Sequence, residues 1–439
     1  MRLPSFLQIP QPAESIQDAA EVKQKYNMWR WRVLFAMFIG YATFYMVRKN
    51  LNASSADIQN AFNFTNAQFG AIFSAWSIVY GFGKFANGIL TDRANLRYLM
   101  AMGLILSAFT NILFGISSSI ILFGIFWTLN GYFQALGWPP VSRGLTQWFS
   151  KTERGTFWGI ANASHQVGGS IILVLASWIT TEWGWRMTFF IPSAIAIAVG
   201  VFLYFNLRDN PQSLGLPPIE KFKGNEFTQK EEQEELENKK SNKELLYEVF
   251  QNKEVWLLSI ANVFVYVVRW GILNWTIIYL VKAKSYTKLE ASSSLAGFEI
   301  WGLIGAFLAG WLSDKFFYKN RGPLNAIYML LLSITLFLFW KNPWNSTALE
   351  AIALFAAGFF VYGPQMLVGV CAADTVRRSQ AATATGMTGL FGYVFGATFS
   401  GIGAGWIVDN YGWDGGFMFF IGCALFGMLL FLMFKPNHK

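Results

Sequence analysis

Apolar segments of about 20 residues recur along nearly the whole chain, and short polar segments separate them. A helix needs about that many apolar residues to cross a lipid bilayer, where its backbone polar groups must pair with one another. The pattern therefore predicts an all-helical membrane protein with twelve transmembrane helices. The predicted spans are residues 33–52, 69–91, 98–117, 119–139, 157–180, 187–206, 256–280, 292–313, 323–340, 347–370, 383–407 and 414–434.

One long polar segment, residues 207–255, interrupts this pattern between the sixth and seventh spans. It divides the chain into two halves of six spans each. We predict a cytoplasmic amino-terminal segment 1–32, an amino-terminal half 33–206, a cytoplasmic central loop 207–255, a carboxyl-terminal half 256–434 and a cytoplasmic tail 435–439.

The central loop contains two kinds of sequence. Residues 231–237 are rich in acidic side chains, which is typical of a solvated linker. Leu245, Leu246, Val249 and Phe250 recur instead at helical spacing, which predicts a short amphipathic helix that lies along the membrane surface.

The composition supports a membrane protein and excludes several other classes. Hydrophobic residues make up 54% of the chain and charged residues 13%, whereas a soluble domain is about 25% charged. Cys371 and Cys423 lie in apolar segments outside any Cys/His cluster, so we expect neither a disulfide framework nor a metal site. No nucleophile–base arrangement or phosphate-binding glycine loop occurs, so we expect no cofactor and no enzymatic activity.

The formal net charge of +9 could indicate a nucleic-acid partner, but the basic residues flank the predicted spans. About twenty-five Lys and Arg residues fall in the termini and in the loops after even-numbered spans, against about five in the opposite loops. Because basic residues concentrate on the cytoplasmic side of membranes, both termini and the central loop are predicted to be cytoplasmic. Residues 1–32 are then a cytoplasmic lead-in rather than a signal peptide, and no nucleic-acid partner is expected.

Two arginines, Arg48 and Arg269, lie in apolar segments at membrane depth. Such a residue costs about 2.5–3.5 kcal/mol on insertion scales, so it is rare without a function. The two lie at matching places in the two halves, which predicts a shared polar site at the interface between the halves. The guanidinium fork fits phosphate or carboxylate best.

A short motif supports the duplication of the chain. The pattern G-x-x-x-D-[RK] follows the second span at residues 88–93 and the eighth span at residues 310–315. Two copies in corresponding loops indicate two related six-helix halves. The residues that we expect to have gating or structural roles here are Gly88, Asp92, Arg93, Gly310, Asp314 and Lys315.

These loop motifs resemble the signature of the major facilitator superfamily. Six further segments are together similar to the organophosphate:phosphate antiporter family: Tyr45–Asn50, Tyr80–Phe85, Gly137–Pro140, Ser164–Gly169, Ala261–Arg269 and Phe360–Gln365. That family contains hexose-phosphate transporters, a transporter-like hexose-phosphate sensor and glycerol-3-phosphate transporters. The resemblance implies the major facilitator fold, with two six-helix halves and both termini cytoplasmic, in a bacterial inner membrane.

Residue types and spacing suggest part of a binding site around the two arginines. Tyr41 and Tyr45 share a helical face with Arg48, because they precede it at helical spacing. Lys49 points about 100° away from Arg48 around the helix, so we expect it to reach a helix end or an interface. Glu299 is the one acidic residue deep in a span, and we expect it to be a positioning partner in an ion pair. The alternative for the arginines is a structural ion pair, and Glu299 could neutralise only one of them.

The resemblance implies further cavity residues. It implies that Lys84 lies near the cavity and that His165, set among small residues of the fifth span, is a cavity residue that could donate to the substrate. Gln134, Trp138, Asn162 and Gln365 could donate to a sugar hydroxyl. Besides Tyr41 and Tyr45, the tyrosines that align with cavity positions in related transporters are Tyr80, Tyr266, Tyr362 and Tyr393.

The sequence therefore predicts a monomeric secondary transporter that exchanges a phosphorylated sugar, hexose 6-phosphate in the first place, for inorganic phosphate. Its partners are then those two solutes and the lipid bilayer. The eleventh span lacks the acidic and basic pair typical of the hexose type, so glycerol 3-phosphate remains an alternative cargo. A second alternative is a transporter-like sensor of external hexose phosphate, which would have a sensor kinase as a partner.

Overall fold

The computed structural model describes residues 4–91, 94–150, 153–224, 242–317, 320–343, 346–376 and 381–435. These ranges are predominantly helical, which confirms the predicted fold class, and the β-structure there is one isolated bridge between Gln8 and Ala94. The α-helices are α1 Ala19–Phe62, α2 Asn66–Thr91, α3 Leu96–Ile116, α4 Ile120–Gln134, α5 Trp138–Trp148, α6 Arg154–Trp183, α7 Met187–Asn206, α8 Ile219–Lys223, α9 Asn242–Gln251, α10 Lys253–Ala283, α11 Lys288–Phe316, α12 Gly322–Lys341, α13 Thr347–Asp374, α14 Ala381–Phe391 and α15 Ala404–Met433.

Short segments of other helical types join or cap these helices. Two 3₁₀ turns occur at Ser5–Leu7 and Pro211–Leu214. Between α14 and α15 the chain forms π-helix at Gly392–Ala397 and Phe399–Gly403. We call these two segments together the π-segment. Such wide turns are rare and occur often at functional positions.

Nine helical segments within the described residues are long and apolar enough to cross a membrane, so the chain is an integral membrane protein. Helices α1 and α2 are not among the nine, and the last of the nine is a run of 50 residues, Ala384–Met433. That run is interrupted at Gly412, whose φ of +67° a glycine adopts without steric cost. The two final predicted spans lie on either side of this residue, and the total of twelve stays a prediction.

The amino-terminal and central segments also contain helices. Helix α1 begins well before the predicted span at residue 33, because Asp18 caps it by accepting a hydrogen bond from the amide of Ala20 at 3.0 Å. The central loop contains α9, at the position of the predicted amphipathic helix. The acidic residues 231–237 lie outside the described ranges.

Each half packs around its own helices, and the halves meet along three seams. Helix α6 packs against α11, α1 packs against α10, and α2 packs against the π-segment and α15. At the third seam the backbones approach closely, since a Cβ built on Gly70 would lie 2.5 Å from the carbonyl oxygen of Gly401. Glycine is required there to let the two halves touch.

Polar contacts join the halves at the end of the bundle that carries the connection between α1 and α2. We call this end the closed end. The Asp409 carboxylate accepts from the backbone amides of Asn66 and Ala67 at 3.1 and 2.7 Å, across the interface. Lys288 forms an ion pair with Asp57, and Lys282 donates to Gln59 at 3.0 Å.

Candidate functional site

A break in α1 positions the first arginine. Val47 has non-helical backbone angles of φ −92° and ψ 19°, immediately before Arg48. The carbonyl oxygen of Val47 accepts from the side-chain amide of Asn111 at 2.8 Å and from that of Asn130 at 3.4 Å. Side chains that insert into the backbone ladder are a recognised cause of helix kinks. Helices α3 and α4 thus stabilise the break that brings both Arg48 and Lys49 to buried positions.

Arg48 is 3% exposed and is surrounded by aromatic rings. Its guanidinium carbon lies 4.2 Å from the ring centroid of Trp76 and 4.5 Å from that of Tyr80, with Tyr45 at 4.9 Å. Its Nε and Nη2 atoms are buried and have no hydrogen-bond partner among the described residues. No carboxylate of those residues lies within ion-pair distance of it either. The charge is therefore stabilised by cation–π contacts and still has donors to offer.

Arg269 occupies a similar environment in the second half. It is 1% exposed, its Nη2 donates to the Tyr362 hydroxyl at 3.2 Å, and its Nε has no partner in the described part of the chain. Its guanidinium carbon lies 4.8 Å from the ring centroid of Tyr362. It too has no carboxylate at ion-pair distance among the residues described. Both halves thus bring a buried, unneutralised guanidinium to the interface.

The ion pair at the interface involves the neighbouring lysine. Lys49 Nζ lies 2.8 Å from Glu299 Oε1, and both side chains are completely buried. The other carboxylate oxygen of Glu299 accepts from the Tyr362 hydroxyl at 2.6 Å. Glu299 is therefore the ion-pair partner of Lys49, and it is linked to Arg269 only through the Tyr362 hydroxyl. Neither arginine has a carboxylate at ion-pair distance among the described residues.

Trp270 is a residue that the sequence analysis missed. Its ring centroid lies 5.1 Å from the guanidinium carbon of Arg48, 5.5 Å from Lys49 Nζ and 5.3 Å from the guanidinium carbon of Arg269. The distance between the two guanidinium carbons cannot exceed the sum of their distances to the Trp270 ring centroid, so these carbons lie within roughly 10 Å of each other. The indole face is the best cation–π partner among side chains. A tryptophan directly after an intramembrane arginine was therefore the sequence feature that could have identified Trp270 as a site residue.

Three of the predicted residues lie close to a fourth, Tyr393. Its ring centroid lies 4.9 Å from that of Tyr80 and 5.1 Å from that of Tyr266, and Lys84 Nζ lies 5.8 Å away. Tyr80 in turn stacks on Trp76 at 4.7 Å. The structure thus brings Lys84 and three of the tyrosines to the same region as Arg48.

A second group of predicted residues lies on the side of the interface that the amino-terminal half forms. Tyr45 contacts Tyr41 with ring centroids 5.5 Å apart and His165 at 5.2 Å, and Tyr41 contacts Trp138 at 5.1 Å. His165 is buried, and its Nδ1 atom contacts the carbonyl oxygen of Asn162. This ring cluster is continuous with the surroundings of Arg48 through Tyr45.

The predicted amide donors have different environments. Gln134 is buried, and its amide nitrogen donates to the carbonyl oxygen of Phe44 at 3.0 Å, so that atom already has an acceptor in the protein. Gln365 Oε1 is buried without a partner among the described residues, and Asn162 is partly exposed. One N–H of Gln134 therefore supports the backbone of α1 before Arg48.

The repeated loop motif is described only in part. Asp92 and Arg93 lie outside the described ranges, as does the side chain of Asp314, while Lys315 Nζ lies 4.7 Å from the ring centroid of Trp311. A Cβ built on Gly88 would meet nothing within 4 Å, and one on Gly310 would meet the end of Met366 at 3.2 Å. Among the described residues, no close contact therefore requires a glycine at position 88 in this conformation.

Arg143 and Asp209 fix the loop that contains the first motif, and sequence reasoning missed both. Arg143 donates to the carbonyl oxygens of Thr91 and Ala94, each at 2.5 Å, and pairs with Asp209 at 2.9 Å. Asp209 also accepts from the backbone amide of Leu96 at 2.9 Å. Burial raises the pKa of the Asp209 carboxyl, although these donors act in the opposite direction. Arg143 lies far from the motif along the chain, so the sequence around the motif did not indicate this contact.

A small chamber adjoins Arg48 between the halves. Its volume is about 10 Å³, room for about one water molecule, and the first half contributes Arg48, Asn52 and Ser77 to its polar wall. The second half contributes Trp270 and Asn274. The chamber extends toward the closed end, because Asn52 follows Arg48 by about one turn of α1.

Sequence comparison identifies the family. Residues 37–399 match the Major Facilitator Superfamily. A probable hexose phosphate transport protein of Chlamydia pneumoniae is 42% identical over 436 residues, which cover 97% of this chain and 96% of that protein. The glycerol-3-phosphate transporter of Bacillus subtilis is 38% identical and covers 99% of each chain. The membrane sensor protein UhpC of Escherichia coli is also 38% identical, and the match covers 98% of this chain and 97% of that protein.

Solved structures show the same fold at much lower sequence identity. A bacterial homologue of the human lysosomal transporter Spinster, in an inward-facing and unoccupied conformation, superposes with a TM-score of 0.72 at 17% identity. That match covers 93% of this chain and 95% of the other. A point mutant of the nucleoside transporter NupG gives a TM-score of 0.71 at 15% identity, covering 92% of this chain and 99% of that one. With matches of this length and identity, the chain belongs to the major facilitator superfamily and, within it, to the organophosphate:phosphate antiporter branch, whose members are membrane transporters and transporter-like sensors and not enzymes.

Proposed function

We propose that this protein exchanges a phosphorylated sugar, hexose 6-phosphate in the first place, for inorganic phosphate by alternating access. One observation carries the proposal: each half brings a buried guanidinium to the interface, and neither has a carboxylate partner among the described residues. The relative with 42% identity is named as a probable hexose phosphate transport protein, which supports the choice of cargo.

The chemistry of the site suits an oxyanion. A phosphate carries one to two negative charges and several acceptor oxygens, and its transfer from water to a buried cavity must be offset by opposite charge and by donors. Arg48 and Arg269 retain free donors, and a guanidinium can donate two parallel hydrogen bonds to one phosphate. An ion pair between either arginine and a carboxylate would have used the donors that are needed to bind a phosphate.

The same arrangement supports a mechanism of exchange. Without substrate, the positive charges of Arg48 and Arg269 repel each other and disfavour an occluded state. A bound phosphate neutralises them and lets the halves rock about the interface, where the pair of Lys49 and Glu299 already joins them. Because the unloaded site cannot close at low cost, the return step requires a second phosphate or organophosphate. Lys84 and His165 are proposed to contribute further donors near the substrate.

Counterflow in proteoliposomes tests this function. Purified protein is reconstituted into vesicles loaded with or without inorganic phosphate, and uptake of labelled glucose 6-phosphate is measured. We expect uptake from phosphate-loaded vesicles only, and equal uptake without internal phosphate would refute obligate exchange. Arg48→Lys and Arg269→Lys should each reduce exchange at least about tenfold, because an ammonium lacks the fork. The matched control is Arg97→Lys, since Arg97 lies at the start of α3 and donates to the backbone carbonyl of Tyr204 near the end of α7, away from the interface.

The same purified protein can be used to test two alternative functions. The relatives include a glycerol-3-phosphate transporter and a membrane sensor protein at 38% identity each, close to the 42% of the hexose-phosphate relative. Stronger competition by glycerol 3-phosphate than by glucose 6-phosphate would change the assigned cargo. Specific binding of glucose 6-phosphate without any exchange would favour the sensor, for which a partner kinase is then expected.

A further inference from the structure

Three arginines, Arg32, Arg97 and Arg208, surround the last turn of α7 at the end of the bundle that carries the central loop. Arg32 lies in α1, and its Nε atom donates to Asn206 Oδ1 at 2.8 Å. Arg97 lies in the first turn of α3, and its Nε atom donates to the carbonyl oxygen of Tyr204. Arg208 follows the last residue of α7 by two positions. Helix α7 packs against α1, α3 and α6, so the three charges gather within the amino-terminal half.

The described residues do not neutralise these three charges. None of their carboxylates lies within ion-pair distance of any of the three arginines, and Asp209, next in the chain, pairs with Arg143 instead. Burial, followed by the charges of Arg97 and Arg32, lowers the pKa of Arg208. Arg97 also lies at the positive end of the α3 dipole. Like charges held this close repel one another, so an anion bound among them would stabilise the arrangement.

Aromatic rings hold the guanidinium groups in place. The guanidinium carbons of Arg32 and Arg208 lie 4.6 and 4.8 Å from the ring centroid of Trp29, so these carbons lie within roughly 10 Å of each other. The guanidinium carbon of Arg97 lies 4.1 Å from the ring centroid of Tyr204. In the described part of the chain, the Nη atoms of Arg32 and Arg97 have no acceptor. The fixed guanidinium groups therefore keep donors that can bind an oxyanion.

The surroundings of the cluster indicate that this oxyanion belongs to a lipid. Trp31, Phe35 and Phe205 lie close to the cluster along the chain, and all three side chains are exposed. Exposed aromatic residues beside basic ones are typical of the boundary between lipid headgroups and acyl chains. Phe35 follows Arg32 by about one turn of α1 toward the membrane core. An acyl chain can therefore lie on Phe35 while the headgroup phosphate contacts the arginine, whereas a free phosphate has no use for the apolar surface.

We propose that Arg32, Arg97 and Arg208 form a binding site for the headgroup of an anionic phospholipid in the leaflet at this end of the bundle. The class of lipid follows from the charge. Three guanidinium groups attract a lipid with a net negative charge, such as phosphatidylglycerol, and repel the quaternary ammonium of phosphatidylcholine. The site joins the ends of three helices of one half and lies outside the interface where the substrate is proposed to bind. It therefore does not depend on the function proposed above.

Native mass spectrometry of the purified full-length protein tests this site. Phosphatidylglycerol or phosphatidylcholine with the same acyl chains is titrated into the protein in detergent, and dissociation constants are obtained from the lipid-bound and lipid-free peaks. Phosphatidylglycerol should bind to the unaltered protein at least about tenfold more tightly than phosphatidylcholine. Arg32→Gln and Arg208→Gln should each weaken phosphatidylglycerol about five- to tenfold, because each removes one positive charge beside the headgroup.

The matched control is Arg186→Gln at the opposite end of α7. It removes the same charge from an arginine that also lies on an indole ring, since the guanidinium carbon of Arg186 is 4.3 Å from the ring centroid of Trp185. This variant should change the affinity for phosphatidylglycerol by less than about twofold. Equal weakening in the control and in the cluster variants would overturn the site, because the total charge of the protein would then explain lipid binding.

Two further results would also overturn the proposal. The first is equal affinity of the unaltered protein for the two lipids, a comparison that needs no variant. The second is displacement of phosphatidylglycerol by an excess of inorganic phosphate, which would assign the cluster to a free anion. If either Arg32→Gln or Arg208→Gln does not fold, the other carries the same measurement, and retention of full phosphatidylglycerol affinity in a folded variant would exclude that arginine from the site.

Discussion

The buried pair of Lys49 and Glu299 makes a quantitative prediction about how the two halves are held together. Lys49 Nζ lies 2.8 Å from the carboxylate, and both side chains have no exposed surface. Lys49→Met removes the ammonium at nearly constant length, and Glu299→Gln removes the negative charge at constant shape. The two variants and their combination form a double-mutant cycle, which isolates the energy of the pair.

The expected magnitudes follow from the burial. Removal of one partner leaves the other charge buried without compensation, which destabilises a protein by about 3–5 kcal/mol. Glu299→Gln should have the larger effect, because Lys49 then remains near two arginines that contact the same indole ring. The double variant has no unpaired charge at this place, so its loss should fall well short of the sum, with a coupling energy of about 3 kcal/mol or more.

The assay is the free energy of unfolding of the purified protein, from SDS titration in mixed micelles. A control comes from the surface pair of Lys25 and Glu21, whose side chains are 44% and 45% exposed. Glu21→Gln should change the unfolding free energy by no more than about 0.5 kcal/mol. Single variants at Lys49 and Glu299 that add within about 0.5 kcal/mol would refute the reasoning, because they would show that the two charges act independently.

Three further predictions concern the interface and the end of the bundle that carries the central loop. Gly70→Ala should prevent full closure at the closed end, because the added Cβ would lie 2.5 Å from a backbone oxygen; cysteine accessibility there should rise, while Gly124→Ala, with nothing within 4 Å of its Cβ, should behave as wild type. Asp409→Asn should favour opening of the same end by about 1–2 kcal/mol, since the carboxylate caps α2 across the interface, and an unchanged distance distribution between spin labels on the two halves would contradict this. At the end with the central loop, burial opposes ionisation of Glu153, but the adjacent Arg30 and Lys223 hold its pKa below the usual value of 4.5. A lowered carboxyl pKa stabilises the fold above the unfolded-state pKa, and this contribution is lost as the pH falls through the folded-state pKa, so Glu153→Gln should lower the unfolding temperature more at about pH 7 than at about pH 3.

The sequence predicted those features that depend on local pattern or on the duplication. Apolar segment lengths gave the helices, and the equivalent places of Arg48 and Arg269 predicted a polar site between the halves, where the structure has both residues buried. The face shared by Tyr41, Tyr45 and Arg48 is also present, although the helix is broken at Val47 between the last two. Such features can be predicted from sequence because helix periodicity and bilayer thickness restrict the possible structures.

The remainder depends on contacts between distant segments. That Glu299 pairs with Lys49 rather than with an arginine follows from the break at Val47, which Asn111 and Asn130 stabilise from two other helices. Helical geometry alone therefore gave the correct separation of Lys49 from its neighbour but not its partner. Gln134 was predicted as a free donor, and only the three-dimensional packing shows that its amide is used by a backbone carbonyl.

The residues that follow the two arginines differ between the halves, and this difference has a consequence for the charge at the interface. In a symmetric dimer of identical six-helix chains, equivalent positions of the two subunits would carry the same residue. The residue after the arginine would then be identical in both. In this chain Lys49 follows one arginine and Trp270 the other, so the ammonium lies beside an indole ring rather than beside a second ammonium.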